Sequence, residues 1–234
     1  MANRFYYLLT FLPPIPSLGE IATVGFDEVH EQISKEGTNE AKLLLEGITL
    51  EESIKTAANE RPVFAAKGNF ESKSPQDFSM PDFPSSISEV LNLNSCADSA
   101  ETWIESLWKA YYEHLRKVGK IIQSTLLVRW VDFETGLRSA LEIARTSLQT
   151  QVVPFSPGEE LTEVVKGWQR ISDPMQGERF LDENRWRFIE SESDRYSFDL
   201  NELTGYLLKL RLLLRYARFD KNLGRKILKE VSSL

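Results

Sequence analysis

The stretch FLDENRWRFIESESDRYSFDLNELTGYLLKLRLLLRYARF, residues 180–219, decides the fold because its second half carries a strong helical repeat. At 100° per residue, one apolar stripe covers about a third of the helix circumference. Its members are Leu203, Tyr206, Leu207, Leu210, Leu213, Leu214 and Ala217. Arg211, Arg215 and Arg218 line the neighbouring face, and Leu208 and Leu212 form an apolar patch beyond them. The pattern predicts a helix that packs on two sides, with a cationic strip between the two apolar surfaces.

The sequence also predicts where this helix begins. The Asp199 side chain can accept hydrogen bonds from the first backbone amides of a helix, which have no partner within it. Glu202 follows three residues later and can reach back to the preceding backbone. Together they form an acidic capping box, which predicts that the helix begins at Asp199.

Residues 98–148 carry the second long helical pattern. One apolar stripe over Trp103–Thr125 predicts a single long rod. The stripe then shifts its phase, because Trp130–Leu148 define a different apolar face. A kink or a new packing partner near Val128–Val131 would account for the shift. We therefore predict a mainly α protein, a multi-helix body with long, kinked central helices.

The N-terminal region is less regular. Phe5–Leu12 is rich in aromatic and aliphatic residues, and the prolines that follow cannot continue a helix or a central strand. A short extended or β segment is therefore expected there. Short helices are predicted over residues 26–34, 40–46 and 49–59; Thr49 and Glu52 would cap the last helix, and Arg61-Pro62 would end it.

The organisation of the chain follows from these patterns. Residues 67–85 contain three prolines with spaced phenylalanines, which indicates either a linker or an extended arm docked on the helical body. The docked arm is the preferred interpretation. We predict an N-terminal segment with short helices and this Pro-rich arm over residues 1–97, and a helical body over residues 98–234. A single domain that includes both is the alternative.

Charge and composition exclude several classes of protein. The chain has 28 basic and 35 acidic side chains, a net charge of −7, which argues against a nucleic-acid partner because phosphate backbones attract Lys and Arg. The acidic excess lies in residues 1–98, which hold 7 Lys and Arg against 15 Asp and Glu. This region would suit a basic partner surface.

Location is predicted from cysteine content and hydropathy. A single cysteine, Cys96, cannot form an internal disulfide, which fits the reducing cytoplasm. No signal peptide is expected, since the apolar run after Arg4 ends in Pro-Pro-Ile-Pro. The apolar runs are also far shorter than the roughly 20 residues that cross a bilayer. Membrane contact is therefore expected only through protein partners.

The sequence contains few patterns that are typical of catalytic, metal-binding or phosphate-binding sites. A zinc site needs several nitrogen or sulfur ligands at short spacing, whereas Cys96, His30 and His114 lie far apart in the sequence. Scattered glycines predict no phosphate cradle. His114 lies on an apolar stripe, which is typical of a core or interface histidine. We predict no catalytic residue, no metal and no cofactor.

Acidic residues between positions 182 and 194 could be interpreted as a general acid and base or as the ligands of a magnesium ion. These residues are Asp182, Glu183, Glu190, Glu192 and Asp194. Arg185, Arg187 and Arg195 are interleaved with them, and this mixture is typical of a solvated, ion-paired helix face. We therefore interpret the acidic residues as surface residues.

The cationic strip Arg211, Arg215 and Arg218 is the one candidate site. Arginines between two apolar patches are partly desolvated, which strengthens their charge-assisted bonds to carboxylates. Two interpretations are open at this stage. The strip either contacts an acidic partner protein or pairs internally with the acidic N-terminal half.

Three segments resemble a known family. RWRFIESESDRYSFDLNELTGYLLKLRLLLRYARFDKNLGRKIL, residues 185–228, resembles the C-terminal signature of a small bacterial family whose genes lie among those for V-type ATPase subunits. FYYLLTFLPPIP, residues 5–16, resembles its opening, and LLVRWVDFETGLRSALEIAR, residues 126–145, resembles its central helix. Residues 67–84 have no counterpart in that family.

The family is regarded as a distant relative of, or stand-in for, the C/d-type collar of V-type ATPases, which lies between the central stalk and the membrane rotor ring. This chain is shorter than the usual C/d-type collar. The resemblance implies a non-catalytic accessory or central-stalk component of a bacterial V-type ATPase, with other ATPase subunits as partners. The implied location is the cytoplasm, peripheral to the inner membrane through an enzyme that transports protons or sodium. A transient assembly or regulatory factor is the alternative, and a metal-dependent hydrolase is a third interpretation.

Overall fold

A computed structural model describes residues 5–66, 83–92, 100–147 and 159–217. Within these ranges the chain forms nine α-helices and no strand, so the predicted mainly α fold is confirmed. The helices are α1 Tyr6–Phe11, α2 Phe26–Glu36, α3 Asn39–Ala66, α4 Ser85–Asn92, α5 Ala100–Ile121, α6 Thr125–Ser147, α7 Glu159–Gln169, α8 Pro174–Glu192 and α9 Leu200–Ala217. Arg218, Cys96 and residues 67–82 of the Pro-rich arm lie outside the described residues.

One apolar core receives side chains from all nine described helices, including those within residues 1–97 and those within residues 98–234. The helix α9 lies at its centre, in contact with α3, α6 and α8. Leu207 and Leu210 on its main stripe are fully buried, and so are Leu208 and Leu212 on the second patch. The predicted packing of this helix on two sides is therefore confirmed. Among the described helices, none is both long and apolar enough to span a bilayer.

The helices α5 and α6 form an antiparallel hairpin, which differs from the predicted rod. The chain turns at Ile122–Ser124, with Gln123 in the left-handed region at φ 59°. The rod therefore ends at Ile121, and Val128–Val131 lie inside α6. The phase shift in the sequence reflects this change of helix, because α6 turns its own apolar face back onto α5. Gly119 allows the close approach: a Cβ atom there would lie 3.0 Å from the Val128 side chain.

The N-terminal segment is helical where an extended or β segment was predicted. Phe5, Leu8 and Leu12 are buried, at the spacing of one helix face, and their burial outweighs the β-forming composition. Leu12 then takes an extended conformation, and the proline-rich stretch follows. Phe83, at the end of the Pro-rich arm, packs against the core.

A second correction concerns α3, which is one helix where two were predicted. Thr49 does not cap a new helix, because its hydroxyl donates to the carbonyl oxygens of Leu45 at 2.9 Å and Glu46 at 3.0 Å. The helix also continues through Pro62 to Ala66. A proline removes one amide donor from a helix, and here the other backbone bonds maintain the helix for one further turn.

The capping box of α9 is confirmed. The Glu202 amide donates to Oδ1 of Asp199 at 2.9 Å. The Glu202 carboxylate accepts from the amides of Phe198 at 2.6 Å and Tyr196 at 3.0 Å. It therefore reaches further back than the capping residue itself and holds the preceding loop against the helix.

The start of α6 is capped twice. Its own Ser124 accepts from the Leu127 amide at 3.2 Å, while Asn201 of α9 accepts from the Leu126 amide at 3.1 Å. The Ser124 hydroxyl also donates to Asn201 Oδ1 at 3.1 Å. These bonds fix where α6 begins and join it to the first turn of α9.

We predict that Ser124→Ala and Asn201→Ala each lower the free energy of unfolding by about 1–2 kcal/mol, since each leaves a helix-terminal amide without its acceptor. Urea unfolding of the purified variants measures this, and the exposed Thr125→Ala is the matched control. Equal stability of all three variants and the wild-type protein would contradict the double cap.

Candidate functional site

Charged side chains from four helices meet inside the protein, and we call this group the interior charge cluster. It consists of Glu51 of α3, Glu134 of α6, Asp182 and Arg185 of α8, and Arg211 and Arg215 of α9. Charged groups are rarely buried unless they are paired. A group of this kind therefore has either a functional or a specific structural role.

Arg185 lies at the centre of the interior charge cluster. Its Nε donates to Glu134 Oε1 at 2.5 Å, and one Nη donates to Asp182 Oδ1 at 2.9 Å. The three side chains are 9%, 4% and 0% exposed. The planar guanidinium can hold two carboxylates at once because its donors point in fixed directions. This contact joins α6 to α8.

Two further arginines connect α9 to its neighbours. Arg211 forms an ion pair with Glu51 of α3, and the same carboxylate contacts Lys55 at 2.9 Å. Arg215 contacts Glu178 at 2.7 Å and Asp182 Oδ2 at 3.3 Å on α8. Since α3, α6, α8 and α9 are each tied by at least one of these pairs, the interior charge cluster cross-links the four helices.

The pKa values show how well each carboxylate is compensated. Burial would raise the pKa of Glu51, but Arg211 and Lys55 outweigh burial and lower it to about 2. Burial is likewise outweighed at Glu134, where Arg185 lowers the pKa. At Asp182 burial prevails over the two arginines, so its pKa is raised. Glu51 and Glu134 are therefore ionised at neutral pH and cannot serve as proton donors.

A cavity of about 500 Å³ lies beside the interior charge cluster. Arg138 lines it, with its Nε donating to the Tyr112 hydroxyl at 3.0 Å. The Arg138 guanidinium lies 4.3 Å above the Trp108 ring centre, a cation–π contact. Within the described part of the chain, Arg138 has no carboxylate at ion-pair distance, so its direct contacts are aromatic, although its charge also helps to lower the pKa values of Glu51 and Glu134.

Every carboxylate of the interior charge cluster contacts an arginine. A role in cross-linking the helices therefore fits these residues better than a role as general acid or base. No group of three or more His, Cys, Asp or Glu side chains able to hold a metal occurs among the described residues. His114 is half-buried, and burial and Lys117 lower its pKa. It lies outside the interior charge cluster.

The structure places the residues of the cationic strip differently from one another. Arg211 pairs internally with Glu51 in the acidic N-terminal half, which is one of the two interpretations that the sequence left open. Arg215 also pairs internally, but with carboxylates of α8. Its side chain keeps 33% of its surface exposed. Arg218 lies outside the described residues.

The interpretation of the C-terminal acids as surface residues is wrong for Asp182 and right for Glu183. Asp182 and Arg185 are buried, whereas Glu183 and Arg187 form a loose surface pair at 3.9 Å. A signal existed in the sequence. Asp182 and Arg185 are in helical phase with the buried Ile189, so they belong to the core-facing stripe of α8. Glu51 and Glu134, the two partners on other helices, were missed altogether.

The C-terminal part of the chain matches a family model built from known proteins. A family model described as "Protein of unknown function (DUF2764)" matches residues 142–233. The matched range includes α7, α8 and α9, and so it contains four of the six members of the interior charge cluster. Glu51 and Glu134 lie outside it. No curated protein and no solved structure matches the chain.

Removing the central arginine should unfold the protein more readily than removing a surface arginine of the same helix. We expect Arg185→Met to lower the free energy of unfolding by about 3–5 kcal/mol, because Glu134 would be left buried without its ion-pair partner and Asp182 would keep only its 3.3 Å contact with Arg215. Arg187→Met is the matched control, with an expected change within about 0.5 kcal/mol. Urea unfolding followed by circular dichroism measures both. A similar loss for the two variants would contradict the central position of Arg185.

A second prediction concerns acid unfolding. The pKa of Glu51 falls from 4.5 to about 2 on folding, so its contribution to stability is complete above about pH 4.5 and is lost as the pH falls towards 2. We expect Glu51→Gln to be less stable than wild type at neutral pH and to lose less further stability on acidification. Urea unfolding between about pH 7 and pH 2.5 measures this, with the exposed Glu46→Gln as control. Parallel pH profiles for wild type and Glu51→Gln would contradict the prediction.

Proposed function

We propose that this protein is a non-catalytic accessory or central-stalk component of a bacterial V-type ATPase, which links the soluble motor to the membrane rotor ring. The observation that carries the proposal is the resemblance of three segments to the family encoded with V-type ATPase subunits. These segments are residues 5–16, 126–145 and 185–228. The match of the family of unknown function over residues 142–233 is compatible with this proposal and gives no activity by itself.

The packing of these three segments supports treating them as one unit. The Tyr206 hydroxyl donates to the Pro13 carbonyl oxygen at 2.9 Å, which joins the C-terminal segment to the N-terminal one. Arg185 binds Glu134, which joins the C-terminal segment to the central helix. Residues that carry the resemblance are therefore also residues that hold the fold together.

Stiffness is the second supporting argument. A collar between a stalk and a rotor ring must transmit torque, and a body of packed helices with buried ionic cross-links resists relative movement of those helices. In this proposal the two central helices α5 and α6 form the stiff body. The bend within α6 at Val128–Val131 that the sequence predicts remains a prediction. Contact of Arg215 and Arg218 with an acidic partner in the ATPase is part of the same proposal.

The proposal includes a cytoplasmic location at the inner membrane, reached through the ATPase. It also includes the absence of catalysis by this chain. A transient assembly or regulatory factor of the same enzyme is the alternative within this proposal. The two differ in stoichiometry, because a permanent component stays in the mature enzyme and an assembly factor leaves it.

We expect the tagged native protein to co-purify with V-type ATPase subunits at a fixed stoichiometry, since a collar is a permanent part of the enzyme. The measurement is quantitative mass spectrometry of the purified enzyme, with an untagged strain as control. Recovery only from cells that are still assembling the enzyme would favour the assembly factor. Purification of the ATPase without any of this chain, and of this chain without any part of the ATPase, would contradict the proposed function.

A further inference from the structure

Aromatic side chains, most of them exposed, gather where α1 meets the loop before α9, and we call this group the aromatic surface. Its members are Tyr6, Tyr7, Phe11, Tyr196 and Phe198. The Tyr6 ring lies 5.7 Å from Tyr7 and 4.8 Å from Phe198. Tyr7, Phe11 and Tyr196 are 76%, 66% and 79% exposed. Clustered exposed aromatic groups of this kind mark interaction sites more often than scattered ones do.

Backbone conformation provides an independent observation at the same place. Tyr196 at φ 67° and Phe198 at φ 50° both lie in the left-handed region, which bulky side chains rarely adopt. The Glu202 carboxylate holds them there by accepting from both backbone amides. The Tyr196 ring is exposed, so the backbone conformation is maintained by these two bonds and not by burial of that ring. Strained backbone of this kind is concentrated at functional sites.

Charge around the aromatic surface specifies the chemistry of a partner. Asp194 and Asp199 are exposed, and among the described residues neither has a cation at ion-pair distance; Asp199 Oδ1 already accepts from the Glu202 amide and the Ser197 hydroxyl, so Asp194 is the more available carboxylate. Two cations, Arg195 and Lys209, line the neighbouring groove, and both are paired with Glu190, at 3.2 Å and 3.3 Å. Asp194, Asp199 and Glu202 have no such partner in the described part of the chain, and they outnumber the two cations. The local excess of charge is therefore negative. A Lys or Arg side chain could pair with these carboxylates and also lie over an aromatic face.

A groove next to the aromatic surface provides room for an apolar side chain. It has a volume of about 620 Å³ and is bordered by Pro13–Pro16 on one side and by Tyr196 and Tyr206 on the other. Trp186 lines it as well. Its proline and aromatic side chains lose little freedom when a partner binds and can receive an apolar group, while Glu190, Arg195 and Lys209 make another part of the lining charged.

We propose that the aromatic surface and this groove bind a segment of a partner protein that presents a Lys or Arg side chain beside an apolar one. The geometry commits to this occupant because the groove with its proline and aromatic side chains, the exposed rings and the Asp194 carboxylate lie together at one end of α9. That the partner belongs to a V-type ATPase rests on the proposed function. The chemistry of the surface does not depend on it.

The first test compares two double variants in binding to immobilised V-type ATPase purified without this chain. Tyr7→Ser with Tyr196→Ser removes two exposed rings of the aromatic surface. Ile21→Ser with Met175→Ser is the matched control, because Ile21 is 89% and Met175 40% exposed. Met175 lies at the start of α8, which runs antiparallel to α9, and so it is at the opposite end of the helix pair from Tyr196.

We expect the control to bind as the wild type does and the aromatic variant to bind at least about 30-fold more weakly, as for the loss of an aromatic anchor. The charge arm uses Asp194→Lys, which should also weaken binding, and binding of the wild type should weaken with added salt. Equal binding by the two double variants, when the wild type binds, would overturn the proposal. When the wild type itself does not bind, the proposed function fails, and the crosslinking described below tests the surface. A lower melting temperature of the aromatic variant than of the control would show that this surface belongs to the fold, and it would overturn the proposal too.

A second measurement separates failure of the surface from failure of the proposed function. A photo-crosslinking amino acid replaces Tyr196 in living cells, and replaces Met175 in the control. Crosslinks to a segment with Lys or Arg beside an apolar residue support the surface, even if that segment belongs to no part of the ATPase and the proposed function fails. Crosslinks within this chain or to a second copy of it overturn the proposal, as does crosslinking no stronger than that of the Met175 control.

Discussion

Arg185 carries a full positive charge at a position where its side chain is 9% exposed, and this is possible only because Glu134 and Asp182 lie against it. Moving one ion from water to a protein interior costs several kcal/mol even after relaxation. The attraction between the partners offsets that cost only at hydrogen-bonding distance. A displacement of α8 along α6 by one helical turn would separate Arg185 from Glu134 and leave that carboxylate buried without its partner, so this contact fixes the register of the two helices.

The remaining helices are positioned by the same constraint, because Asp182 is shared. Its second oxygen contacts Arg215, which places α9 against α8, and Arg211 one turn earlier on α9 pairs with Glu51 of α3. Buried ion pairs add little net stability compared with apolar groups of the same size. Apolar side chains of the core, the leucines of α9 among them, stabilise the fold by leaving water. A packing that separated these pairs would leave charges buried without partners, so the interior charge cluster disfavours such arrangements of the four helices.

The sequence predicts what is local and misses what joins distant segments. The stripe of α9 and its Asp199 cap depend on residues within a few turns, and both are confirmed. Arg185 could be assigned to a helix, but its partner Glu134 lies 51 residues away, and no periodicity connects the two. The phase shift in the central segment was visible as well. Its cause, a turn at Ile122–Ser124, was not, because Gln123 in the left-handed region has no strong sequence signal.

Composition misled at the other end of the chain. Phe5–Leu12 contains β-forming side chains, yet it forms a helix because Phe5, Leu8 and Leu12 can be buried together only on a helical face. The Arg211 side chain shows the same limit. Its place between two apolar patches indicated a desolvated arginine, but the choice between a partner protein and Glu51 depends on the position of α3, which lies about 160 residues earlier.

The cap that Asn201 places on α6 also determines when that helix is completed during synthesis. The Leu126 amide precedes its acceptor by 75 residues. At a ribosomal rate of about 5–20 residues per second, Asn201 is made roughly 4–15 s after Leu126. During this interval the α5–α6 hairpin can form from local contacts. The Leu126 amide can then donate only to water, because Asn201 has not yet been synthesised. When α9 packs against the hairpin, Asn201 caps α6 and the leucines of α9 are buried in the same step. The last described helix to be translated therefore completes the core.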